Sequence, residues 1–100
     1  MVKCYNDFLQ LIDGEQLNNY HLVLQESDII KSRWTKEDYI NYLGELELHK
    51  FETGVTISYQ SSVDAGNRIC SIDILIHFPE ENGVPERNYT MLWTVFYNNK

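Results

Sequence analysis

Apolar residues change their spacing several times along the chain, and each change predicts an element. Tyr5, Phe8, Leu9 and Ile12 recur at i, i+3, i+4 and i+7, the spacing of one helical stripe, and Gly14 suits the left-handed residue that ends a helix. A first helix is therefore predicted over 4–13. Tyr20-His21-Leu22-Val23-Leu24-Gln25 is rich in branched and aromatic residues between Asn18-Asn19 and Ser27-Asp28, and reads as a short strand. Residues 28–34 show no single period. Thr35 and Asp38 then form a variant capping box, with Asp in place of the usual Glu or Gln, and Trp34 and Tyr39 sit where a hydrophobic staple would close. The second helix is predicted to start at Lys36 and end near Gly44.

From Leu46 the period becomes two. Leu46 and Leu48 alternate with Glu45, Glu47 and His49, whereas Val55, Ile57 and Tyr59 alternate in the other frame, so a turn or bulge is expected around Glu52-Thr53-Gly54. Cys70, Ile72, Ile74, Ile76 and Phe78 make the clearest strand face, and Tyr89, Met91, Trp93, Val95 and Tyr97 the next. Turn formers fill 63–67 and 79–86, at lengths that suit antiparallel connections. The expected fold class is α+β: an antiparallel sheet of four or five strands with two helices packed on one face, as one globular domain over 1–100. Thr56, Ser58, Gln60, Ile69, Ser71, Asp73, Leu75, His77, Thr90, Leu92, Thr94 and Phe96 would share the opposite face, which is half apolar and so fits a binding surface, a face half-covered by the Ile29 to Trp34 segment, or an ordinary surface with scattered apolar residues.

Charge narrows the partners. The chain has 8 Lys+Arg and 15 Asp+Glu, a net charge of −7, spread over both halves. That balance opposes nonspecific binding to nucleic acid or to anionic membranes and favours a basic protein. Residues 1–7 lack the apolar run of a signal peptide, and no run of about 18 apolar residues occurs. A cytoplasmic protein with Cys4 and Cys70 as free thiols is the resulting expectation.

Candidate chemistry is sparse. Ser71, Asp73 and His77 share a strand face, but at about 3.3 Å per residue Ser71 and His77 stand roughly 20 Å apart, beyond any nucleophile–base contact. His21, His49 and His77 recur every 28 residues without repeated flanks or metal-ligand spacing. No phosphate loop, nucleophile elbow or HExxH occurs. No enzyme activity, no metal and no cofactor are expected.

Seven Tyr and two Trp provide large amphipathic contacts, and Tyr39 and Tyr42 lie on a helix beside Glu37, Asp38 and Glu45. In size, charge and aromatic content the chain resembles the small acidic immunity proteins that bacteria make against their own toxins, such as those of colicins and of contact-dependent growth inhibition, and also barstar. The resemblance implies stoichiometric inhibition of a cognate toxin, often a basic nuclease, by one copy of the chain. The same physics would suit a phage-encoded inhibitor of a nucleic-acid-binding defence complex. A small α+β ligand-binding protein or enzyme, with a pocket near His77 or His49, is the rival, and a chaperone with an apolar groove is a third reading. For a basic partner the candidate contacts are Glu37, Asp38, Tyr39, Tyr42, Asp64, Asp73, His77, Glu80, Glu81 and Glu86.

Overall fold

The computed structural model describes Phe8, residues 20–64, Gly66 and residues 69–97. Four antiparallel strands, β1 (Tyr20–Ser27), β2 (Thr56–Asp64), β3 (Ile69–Phe78) and β4 (Arg87–Tyr97), form one sheet in the order β1-β4-β3-β2, and α1 (Lys36–Thr53) joins β1 to β2. The α+β class holds. Among the described residues there is one helix where two were expected. The helix expected over 4–13 lies outside the described residues except for Phe8, which is helical, fully buried, and packed with its ring centroid 5.9 Å from Trp93 and 6.3 Å from Tyr59.

The start of α1 follows its capping residues. Asp38 N donates to Thr35 Oγ1 at 3.3 Å and Thr35 N donates to Asp38 Oδ2 at 2.8 Å, and the Trp34 and Tyr39 rings meet edge-on at 5.0 Å. Its end corrects the expectation, because the helix continues past Gly44 to Thr53. The alternation of Glu45 to His49 is also a helical sequence of strong helix formers, with Leu46 one turn beyond the buried Leu43 and Leu48 left 69% exposed. Gly54, at φ 78, stops the helix and donates its N–H to the Lys50 carbonyl at 3.0 Å. The two apolar frames therefore belong to different elements, and no strand has to absorb the slip.

The sheet register places alternate residues as a two-faced strand requires. Cys70, Ile72, Ile74, Ile76, Met91, Trp93 and Val95 are all buried, facing Phe8, Tyr39 and Leu43. Cys70 is disulfide-bonded, which corrects the expectation of free thiols; the one other cysteine in the sequence is Cys4. That expectation came from the compartment rule, and nothing in the strand pattern spoke to pairing. Among the described residues no helix is long and apolar enough to cross a membrane.

Two irregularities matter for the surface. β1 shifts register between Leu24 and Glu26, so Glu26 pairs with Leu92 and Ser27 with Met91. Uninterrupted alternation would have set Glu26 against Met91 on the core face, and the extra residue turns its carboxylate to the other face. Between β3 and β4, Glu81 and Val84 exchange backbone hydrogen bonds of 3.0 and 2.9 Å around Asn82 and Gly83, both at positive φ (51 and 83) as a type I′ turn demands.

Candidate functional site

The helix covers one side of the sheet, and among the described residues no other element packs over the opposite, open side. Rows run across the open side as Thr56–His77–Asn88, Ser58–Leu75–Thr90, Gln60–Asp73–Leu92–Glu26, Ser62–Ser71–Thr94–Val23 and Asp64–Ile69–Phe96–His21. Ser58, Gln60, Asp73, Leu75 and Thr90 border a shallow groove of about 520 Å³ in the middle of these rows. Leu75, 43% exposed, lines the groove, and Leu92, Phe96 and Val23, half-buried in the neighbouring rows, extend its apolar floor.

Carboxylates surround that floor. Asp73 is exposed at its centre and Asp64 at the far end of β2. Asp28 reaches across from the end of β1, its Oδ2 accepting from Thr90 N at 3.1 Å and Thr90 Oγ1 at 2.9 Å. Glu86 Oε2 lies 3.7 Å from His77 Nε2, whose ring also meets Asn88 Oδ1 through Nδ1 at 2.7 Å. Among the described residues the rows contain no Lys or Arg. Sequence reasoning found Asp64, Asp73, His77 and Glu86 but missed Glu26 and Asp28. The bulge in β1 brings Glu26 round, and no periodicity signals a bulge in advance.

The remaining predicted contacts divide. Tyr39 is buried and its hydroxyl donates to the Ile29 carbonyl at 2.9 Å, which makes it part of the core. Asp38 is occupied by the capping box, and Glu37 stands exposed in the same turn. Glu80 and Glu81 are exposed in the β3–β4 connection. Tyr42 is half-buried in a separate cleft of about 370 Å³ with Ile30, Lys31, Phe78, Arg87 and Tyr89. Burial, with Tyr89 adding to it and Arg87 opposing, pushes the Tyr42 phenol above its ordinary pKa. The Arg87 guanidinium stacks 5.0 Å over Phe78. The cations Lys31 and Arg87 thus share this cleft with Asp28. His49 and His77 are both absent from this cleft's lining.

The three histidines have separate surroundings: His21 beside Phe96 at 6.2 Å, His49 between Glu45 and Glu52 on α1, and His77 with Asn88 and Glu86. Among the described residues no three His, Cys, Asp or Glu side chains converge on a point where a metal could sit. No family model matches the chain, and neither the curated proteins nor the solved structures contain a match.

Proposed function

We propose that the chain is a stoichiometric protein inhibitor, an immunity protein that binds a cognate bacterial toxin and blocks its active site. One observation carries the reading: an open sheet face that gathers Glu26, Asp28, Asp64, Asp73 and Glu86 around an apolar floor and, among the described residues, has no Lys or Arg. A nuclease holds phosphates with Lys, Arg and His, so such a face can meet those groups with carboxylates and exclude water with Leu75, Leu92 and Phe96. Long-range attraction also speeds the encounter. Binding rather than turnover is the activity, and no cofactor takes part. A phage-encoded inhibitor of a nucleic-acid-binding complex would use the same face.

The reading places the pair in the cytoplasm, where a nuclease finds its nucleic acid. The disulfide at Cys70 argues for an oxidising setting instead, because cytosolic thiols are kept reduced. Trapping thiols in intact cells decides the compartment separately from the function.

The functional test pairs the purified chain with the product of its neighbouring reading frame and follows association by stopped flow. The expected result is one complex with the toxin's activity silenced at equimolar inhibitor. Its association rate should fall about tenfold in the Glu26→Gln/Asp73→Asn double variant, with a flatter salt dependence. Undiminished toxin activity, or rates indifferent to salt and to both substitutions, would overturn the proposal. A complex formed with a defence ribonucleoprotein instead would assign the face to the phage inhibitor.

A further inference from the structure

β2 is an outer strand of the sheet, and among the described residues its one charged side chain, Asp64 at its end, is the only usual protection of an edge that it carries. Its nine residues pair with β3 without a register shift, from Thr56↔His77 to Asp64↔Ile69, and the sequence TISYQSSVD holds no Pro and no Lys. Charged side chains, prolines and bulges are what keep such edges from pairing with another chain. Two apolar side chains also stand uncovered beside it, Val63 at 46% and Phe51 at 91% exposure.

These two side chains flank opposite ends of the strand. Glu47 of α1 accepts the Tyr59 hydroxyl at 2.6 Å, so this flank of the helix overlooks β2. Phe51 follows Glu47 by one helical turn on the same flank, toward the end where Gly54 and Val55 lead into Thr56. Val63 lies at the other end, on the core face of the sheet, opposite Cys70.

We propose that β2 pairs antiparallel with β2 of a second copy of the chain, about a two-fold axis at Gln60. In that register Thr56 opposes Asp64 of the other copy, Ile57 opposes Val63, Ser58 opposes Ser62 and Tyr59 opposes Ser61. Ile57 and Val63 then meet on the core face, where Tyr59 covers Ser61, and polar residues share the open face. Each pair joins residues of the same parity, so the outward backbone groups of one copy meet those of the other. The axis also carries Phe51 of one copy toward Val63 of the other, covering both exposed side chains. The two open faces become one eight-stranded acidic surface, since 4 + 4 strands pair edge to edge.

A strand pairing with two apolar contacts falls below the roughly 1,200 Å² of a standard interface, which places the dimer in the weak class. The net charge of −7 on each copy opposes association, so salt should strengthen the dimer. That is the opposite sign to the salt effect proposed for the toxin, and the two proposals therefore fail independently.

Sedimentation equilibrium on the oxidised chain tests it. The apparent mass should rise from 11.8 kDa toward 2 × 11.8 = 23.6 kDa with concentration, and more steeply at about 1 M than at about 0.1 M salt. Gln60→Lys and Gln60→Glu should each remain monomeric, with like charges meeting on the axis, and an equimolar mixture should dimerise at least as well as the wild type. Phe51→Lys should raise the dimer dissociation constant about tenfold or more, and it decides the matter if either Gln60 variant loses its near-ultraviolet circular dichroism. A wild type that stays monomeric to about millimolar concentration, or a dimer unmoved by these substitutions, would overturn the proposal.

Discussion

Ile74 and Tyr42 carry the two clearest tests at the scale of single residues. Ile74 is 1% exposed in the middle of β3, and Ile74→Asp would bury a carboxylate without a partner, at a cost of several kcal/mol. The variant should lack a cooperative melting transition; a native-like one would mean that the side chain faces water. Tyr42 makes a pH prediction. Because its phenol titrates above the ordinary value of about 10, the fold favours the neutral form. That contribution is complete below the unfolded pKa and is lost as pH rises through the folded one. The melting temperature should therefore fall more steeply above pH 10 in the wild type than in Tyr42→Phe, and parallel curves would remove the effect. The core residues of β3 and β4 were legible because strict alternation leaves one solution. Tyr39 and Tyr42 were not separable in sequence, since both lie at the edge of the apolar stripe and only the position of Ile29 decides which hydroxyl is satisfied inside.

Elements were legible where local chemistry punctuates them. The N-terminus of α1 follows from Thr35 and Asp38, and Thr35→Ala should cost about 1 kcal/mol, lowering the melting temperature by about 4–8 °C. An unchanged transition would show that solvent replaces the box at no cost. The C-terminus was misread because five residues of alternation can satisfy either period, and the choice depends on whether Leu46 meets a core. The correct stop signal, Gly54, was present in sequence but read as part of a strand turn. β1 shows the converse problem, in that its position was clear from composition while its bulge came from fitting eight residues beside β4. That bulge places Glu26 on the candidate face.

At the scale of the whole molecule, the rows of the open face are set apart by their lack of cations among the described residues. The helix side mixes signs, with Lys31, Arg87 and Asp28 in one cleft and Lys36 and Lys50 among the carboxylates of α1, so a basic surface should meet the open face with least repulsion. Net charge was legible in sequence and its distribution was not, because distribution depends on strand order and on which side the helix packs. The disulfide was also hidden, as two cysteines alone do not announce a bond. Thiol titration of the denatured, unreduced chain should find none free, and finding two would overturn the bond. Reduction should lower the melting temperature by roughly 8 °C or more, given about 2–5 kcal/mol for a native disulfide in a small domain.

The strand order also sets a sequence of events in time. β2, β3 and β4 are neighbours in chain and in space, so their hairpins can close through short loops. β1 has one partner, β4, and Tyr20 meets Tyr97 across 97 − 20 = 77 residues. Closing that long loop is entropically slower than closing the hairpins, so β1 should dock after the three-stranded meander has formed. In refolding followed by pulsed hydrogen exchange, amides shared by β3 and β4 should be protected before those of β1. Until β1 arrives, the outer edge of β4, which carries Trp93 and Val95, is open to any passing strand.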